Sequence, residues 1–408
     1  MKIKVGVLFG GESVEHEVSI ISALQAINKM DKDKYDVIPI YITKDGEWYT
    51  GYMLNDIEVY QDISLIKRYS SNVVLYRYKN SYVLQKKKFP KSIVTDLDIV
   101  FPIVHGTNVE DGALQGYLQT IGVPFVGSDV YSSVVGQDKV YMKAIWEEAK
   151  LPVTDYVWFY DFQYNQDSEP IIKQIENLKY PVIIKPATTG SSIGISVCNN
   201  YDELIEGIED AIQYDKKILV EKLVPNVKEV NIAVMGNYEY QKVSGIEEVL
   251  STNDFLTYND KYISSGKGKI KGSYKIPNKS SSKGMASTNR KLPADLSDKM
   301  RSQIEEIAIK AFKVLGSSGN CRIDFLIDKK SNKVYINEIN SIPGSLAFYL
   351  WECKGINFTK LLDDMISIGI KSYKKRVGKT HSFETNILKG FADNGGVKGI
   401  KGVKGKIR

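Results

Sequence analysis

Cysteine is scarce: three residues in 408, Cys198, Cys321 and Cys353, cannot build a disulfide framework and show no metal-type spacing. That fits a reducing compartment. No apolar run approaches the roughly 18 residues that a membrane span needs. The N-terminal MKIK leads into VGVLFGG, an apolar run too short for a signal peptide that ends in structural-looking glycines. Basic charge is also scarcer than the net +6 suggests, because Lys371–Arg408 holds 11 basic residues against 2 acidic ones. The remainder has 44 against 47, a net of −3. Nucleic-acid binding wants basic residues spread over a folded face, and here they are gathered in a tail. The expectation is a soluble, cytoplasmic enzyme with no nucleic-acid or membrane partner.

What is present is ordinary globular composition, 43% hydrophobic and 25% charged, over a length that suits two or three domains. VGVLFGG reads as a buried strand entering a Gly-rich turn, and SVEHEVSIISALQAINKM as a helix with acidic residues near its start. Further strands are expected at YDVIPIYIT, DLDIVFPIVHG and VPFVG, with a helix at ALQGYLQTIG. This alternation predicts an N-terminal open, doubly wound parallel α/β domain over residues 1–127. Ligands would then meet the carboxyl ends of its strands, where Gly10, Gly11 and His105 fall.

Residues 128–222 predict a small central domain. SSVVGQDKVYMKAIWEEAK is helical, and YPVIIKPATTGSSIGISVCNN is a strand, a Gly/Ser/Thr loop and a strand. Residues 223–390 predict a C-terminal α+β domain whose antiparallel sheet includes CRIDFLID and KVYINEIN. Between residues 263 and 292 a long Gly/Ser/Lys-rich loop suggests disorder or an active-site lid. Residues 391–408 read as a flexible Gly/Lys tail.

Four groups of residues carry chemistry. Along CRIDF, Arg322 and Asp324 share one strand face, and Glu338 and Asn340 do so along NEIN. If the strands pair, one face offers two carboxylates, an amide oxygen and a guanidinium, which suits Mg²⁺ held with phosphate oxygens and an Arg that stabilises developing charge. A surface salt bridge is the alternative, although the flanking Ile323, Phe325 and Ile339 make idle charges unusual there. KPATTGSSIG puts Lys185 at a strand end before a loop whose N–H groups could surround phosphates. It lacks the Gly-Lys-Ser/Thr of a Walker loop, and a hairpin without a ligand is as good a reading. Lys139 is a second phosphate candidate or a solvated helix residue. In GGESVEHEVS, Glu15 and His16 at a helix start are functional or simply capping, and His105 after an apolar strand is functional or structural.

Taken in order, GGESVEHEVS, HGTNVEDGALQG, KPATTGSSIG, CRIDF and NEINSIPG resemble the D-alanine–D-alanine ligases of the ATP-grasp superfamily from about residue 3 to 370. The resemblance implies a three-domain ATP-grasp architecture and a ligase that joins two D-alanines with ATP through an acyl phosphate, in peptidoglycan precursor synthesis. It implies that Lys139, Lys185, Ser192, Glu221 and Glu229 bind ATP. Asp324, Glu338 and Asn340 would hold two Mg²⁺ ions, with Mn²⁺ an acceptable substitute. Arg322 and the Gly344 N–H would hold the tetrahedral oxyanion. Glu15 would take the ammonium of the first D-alanine with His105 close by, and Ser191 would link Glu15 to the lid tyrosine, Tyr262, beside Tyr258 and Lys261. Ser345, Tyr349 and Leu350 would serve the second substrate. The family's dimers make a homodimer an expectation as well.

Three departures stand out. Val109 occupies a position where the family usually has Gly, Tyr349 one where it commonly has a Ser for the second substrate's carboxylate, and the loop after Tyr262 is long. Tyr349 keeps open a ligase with another acceptor, such as D-Ser, with the tyrosine hydroxyl reaching the carboxylate from farther out. A non-catalytic ATP-binding paralogue is the rival from another class, and the intact Arg322, Asp324, Glu338 and Asn340 argue against it.

Overall fold

The run IKVGVLFG has no polar face to offer water, and it becomes a strand buried over its last six residues. The computed structural model describes residues 2–250 and 290–382. Tyr258, Lys261, Tyr262, most of the long loop and the Gly/Lys tail lie outside the described residues.

The first sheet comprises β1 (Ile3–Gly10), β2 (Tyr35–Ile42), β3 (Trp48–Thr50), β4 (Ser71–Tyr78), β5 (Ser81–Lys86), β6 (Ile93–Leu97) and β7 (Ile99–Pro102), in the order β6-β5-β4-β3-β2-β1-β7. β1 is parallel to both β2 and β7, as the alternating pattern predicts. The Lys-rich stretch after β2, irregular by sequence, instead forms the antiparallel strands β3 to β6. Its lysines face outward and mask the alternation, while Tyr49, Leu75 and Leu84 are buried.

The second sheet contains β8 (Tyr156–Tyr160), β9 (Val182–Pro186), β10 (Ser196–Cys198) and β11 (Lys217–Lys222), ordered β10-β9-β11-β8 and antiparallel throughout. The third contains β12 (Val227–Gly236), β13 (Gln241–Val249), β14 (Arg290–Lys291), β15 (Gly319–Asp328) and β16 (Val334–Asn340), ordered β14-β13-β12-β15-β16. It too is antiparallel. The helix predicted across residues 132–150 is two helices, Val130–Gln137 and Lys139–Glu148. Asp138 breaks it: the residue is extended and its carboxylate accepts from the N–H groups of Val140 and Tyr141, capping the second helix. Lys139 is thereby fixed at a helix N-terminus.

The long helix Phe358–Val377 returns to the first sheet, and its Leu361, Leu362, Met365 and Ile366 share a core with Val5 and Phe9. Sheet three keeps a separate core, with Ile323, Phe325 and Ile339 packed against Ile304, Ala308 and Phe312 of the helix Asp298–Val314. Among the described residues no helix is long and apolar enough to cross a membrane.

Candidate active site

The three sheets meet at one cleft, and the strand ends that line it explain which residues reach it. On the first sheet, the turn after β1 leads into the helix His16–Lys29. Glu15 stands at the N-cap of that helix, yet its side chain makes no capping bond. It accepts a hydrogen bond from Ser191 Oγ instead, so the carboxylate is turned to the loop over the cleft and is not a cap. His16 is structural: its Nδ1 lies 2.6 Å from the Gly11 carbonyl and its Nε2 2.9 Å from the Tyr41 hydroxyl. Burial lowers its pKa, as it does for His105. His105 lines the cleft, with Nε2 3.2 Å from Ser22 Oγ, and Ser22 Oγ in turn accepts from the Ser345 N–H at 2.9 Å. One helix serine thus ties the histidine loop to the turn after Gly344, and nothing in the sequence pattern marks it.

The Val109 departure has a local explanation. A Cβ on Gly11, which has φ +106°, would come within 2.5 Å of Val109 Cγ1, so the glycine's bare Cα makes room for the valine. Beside it is Glu110, a site residue that sequence reasoning missed. This buried carboxyl accepts from the Gly106 N–H at 3.1 Å, Ser341 Oγ at 2.9 Å and the Ile342 N–H at 2.9 Å. Burial, then the charge of Glu15, pushes its pKa up to about 7. A raised carboxyl pKa means that the folded state holds a proton that the unfolded chain has released. Stability contributed by protonated Glu110 is therefore present below about pH 4.5 and lost as pH rises toward about 7. Glu110→Gln is expected to flatten the fall in Tm between pH 5 and 7.5; an unchanged slope would show that Glu110 is ionised throughout.

The Gly/Ser/Thr loop between β9 and β10 lies over the cleft. Lys139 Nζ donates to the Thr189 carbonyl at 2.9 Å and Gln137 Nε2 to that of Thr188 at 2.8 Å. Ser191 and Ser192 adopt left-handed φ of +56° and +60°, strain of the kind that gathers at ligand clamps. A Cβ on Gly190 would come within 2.8 Å of Glu15 Oε2, so the loop lies close against that carboxylate. At the far end, Lys185 Nζ pairs with Glu221 Oε2 and donates to Asn337 Oδ1 at 3.1 Å. Glu229 also lines the cleft.

On the third sheet the predicted face forms. Arg322 stands opposite Asn340, and Asp324 opposite Glu338. The Arg322 fork grips Asp324, Nε to Oδ1 at 2.7 Å and Nη2 to Oδ2 at 2.8 Å, and Asn340 Nδ2 donates to Oδ2 at 3.1 Å. Asn231 and Glu247 extend this polar row across β12 and β13. No cluster of three or more His, Cys, Asp or Glu with metal-site geometry exists among the described residues. Two carboxylates and an amide still fit a hard divalent cation that takes its remaining ligands from phosphate oxygens.

The second-substrate residues are placed less as expected. Leu350 is fully buried in the core shared with the first sheet, where its apolar side chain is most stable, so that side chain is not at the cleft. Ser345 is buried too, the first of three consecutive residues with positive φ, Ser345, Leu346 and Ala347. The Tyr349 hydroxyl is turned to Glu247 Oε1 at 3.3 Å, and the Arg290 guanidinium lies 3.9 Å over its ring. Tyr349→Phe keeps that stack and loses one long hydrogen bond of about 1 kcal/mol. Its KM for either amino acid is expected to stay within about fivefold of wild type, whereas a larger rise confined to the second substrate would place the hydroxyl on that substrate's carboxylate.

Three sheets closing on a cleft lined by Lys139, Lys185 and the acidic strand pair define an enzyme of the ATP-grasp fold. Family models for the D-ala D-ala ligase N-terminus and C-terminus match residues 4–128 and residues 145–286 and 271–367. A D-alanine–D-alanine ligase of Thermosipho melanesiensis is 39% identical over 389 residues, covering 95% of this chain and 98% of the relative. Among solved structures, the D-alanine-D-alanine ligase from Coxiella burnetii superposes with a TM-score of 0.76 at 26% identity, over 96% of this chain and 99% of its own. The VanG D-Ala:D-Ser ligase from Enterococcus faecalis gives 0.73 at 29% identity, over 90% and 100%. The chain belongs to the D-alanine–D-alanine ligase family.

Proposed function

We propose that this chain joins two D-alanines at the expense of ATP, through an acyl phosphate, to supply a peptidoglycan precursor. The observation that carries the reading is the meeting in one cleft of Lys139 and Lys185, Glu15 with Ser191, and the Arg322–Asp324/Glu338–Asn340 strand pair.

Glu15 offers an anionic partner for the ammonium of the first D-alanine, and Ser191 fixes that carboxylate's orientation. Neutral His105 beside it adds no competing cation. The substrate carboxylate attacks the γ-phosphorus of ATP: a C–O–P bond forms, the bond to the β-phosphate oxygen breaks, and ADP leaves. Lys139 and Lys185 can offset the negative charge of the polyphosphate, and such positioning and charge stabilisation dominate phosphoryl transfer. Asp324, Glu338 and Asn340 would hold Mg²⁺, which when bound neutralises phosphate charge. The amine of the second D-alanine then attacks the acyl carbon, its spare proton passes to phosphate or solvent, and inorganic phosphate departs with one former carboxylate oxygen. The oxyanion of that step needs fixed donors. Arg322 spends two of its five N–H groups on Asp324, which leaves three for this task. Gly344 also lines the cleft, and its N–H is the second donor in this reading. A loop closed over the cleft limits hydrolysis of the acyl phosphate.

Phosphate release and dipeptide formation with ATP, Mg²⁺ and D-alanine test this directly. The Tyr349 hydroxyl, engaged by Glu247, leaves acceptor choice to be read from a panel of D-alanine, D-serine and D-lactate as second substrate. D-alanine is expected to give the highest kcat/KM. A preference for D-serine would move the proposal to a D-Ala–D-Ser ligase, and ATP binding without turnover would leave only a nucleotide-binding paralogue.

A further inference from the structure

Lys143 lies one helical turn beyond Lys139 and is only 1% exposed. Dry ammonium groups persist only when paired. Its Nζ makes an ion pair with Glu221 Oε1 and donates to Thr154 Oγ1 at 3.1 Å, while Thr154 Oγ1 donates to the same Oε1 at 2.6 Å. The other oxygen, Oε2, is held by Lys185, which is 10% exposed and lines the cleft. One carboxylate, itself 2% exposed, is therefore shared between two lysines. Both neighbouring ammoniums hold the Glu221 carboxyl far below the usual range, so it stays ionised.

Burial lowers the Lys143 pKa, and the Glu221 carboxylate, with Glu338 more weakly, opposes that shift. Of the two lysines, Lys185 reaches the cleft and Lys143 lies behind it. We propose that Lys143 is a positioning residue for nucleotide binding, satisfying Glu221 from behind so that Lys185 can leave it for a phosphate of ATP. The inference rests on the ATP reading above. It accounts for a lysine that is buried behind the cleft and does not line it. Without Lys143, Lys185 would be the only cation on a buried carboxylate, and moving it would strand that charge.

The test is calorimetric titration of ATP with Mg²⁺ into the full-length protein without D-alanine, alongside steady-state kinetics. Lys143→Met is expected to weaken ATP binding and raise KM for ATP at least about tenfold, the worth of one charge-assisted hydrogen bond. Its kcat at saturating ATP should stay within about threefold, because the loss falls equally on ground and transition states. Adding Glu221→Gln to Lys143→Met should recover part of that affinity, because a neutral amide no longer holds Lys185. A purely structural triad predicts the opposite, a further loss. Thr154→Val, gentler on the fold, removes the other donor to Oε1 and is expected to weaken ATP about threefold. Wild-type affinity in Lys143→Met, or in Thr154→Val should Lys143→Met not fold, overturns the inference, as does a double variant no better than the single. Wild-type protein that binds no ATP would instead bring down the nucleotide reading itself.

Discussion

Glu338→Gln is expected to abolish ligation, lowering kcat by roughly 10³-fold or more, while leaving Tm within about 2 °C of wild type. Glu338 lines the cleft on β16, directly across from Asp324, and is half-buried, so no core packing depends on it. An amide of the same shape carries no charge to set against a divalent cation, and the phosphoryl charge would go uncompensated. Several kcal/mol of that compensation at about 1.4 kcal/mol per tenfold gives the stated loss. Rate measurements over a range of Mg²⁺ check it. Turnover within a few-fold of wild type would remove Glu338 from the metal site.

The second large effect is Arg322→Lys, expected to lower kcat by about 10² to 10³-fold with KM for ATP little changed, as for the loss of one oxyanion donor. Lysine keeps the charge and loses the fork. In the structure that fork spends Nε and Nη2 on the two oxygens of Asp324, so the arginine can hold the carboxylate and still present donors to the cleft. A single ammonium cannot do both. The pH profile of kcat should keep its shape, because both cations stay charged throughout. An unchanged kcat would reduce Arg322 to a structural partner of Asp324.

Much of this site is legible in the sequence because its residues lie on regular elements. Period-two alternation places Arg322 with Asp324 and Glu338 with Asn340 on shared faces, and the observed register joins them as that rule requires. Lys185 and Glu15 are signalled by strand and helix ends, where ligands gather in α/β folds. What escapes is whatever depends on packing between distant segments. Lys143 looks like any helix lysine until β11 places Glu221 against it. Glu110 looks like a solvated loop acid until Ser341 and Ile342, more than two hundred residues away, close over it. Tyr349 and Leu350 show the converse: adjacency to Gly344 suggests substrate contact, and the burial of the turn sends one side chain to Glu247 and the other into the core. In the first sheet, outward-facing lysines hid four antiparallel strands because composition outweighed alternation there.

The central claim, that a D-alanine carboxylate is phosphorylated before the amide forms, is tested most directly by following oxygen. D-alanine labelled with ¹⁸O in its carboxylate, turned over with unlabelled ATP and Mg²⁺, should deliver one ¹⁸O atom into each inorganic phosphate released, read by mass spectrometry. That atom can reach phosphate only if the carboxylate oxygen bonds to phosphorus and leaves with it when the amine attacks. Dipeptide formed with phosphate free of ¹⁸O would contradict the account.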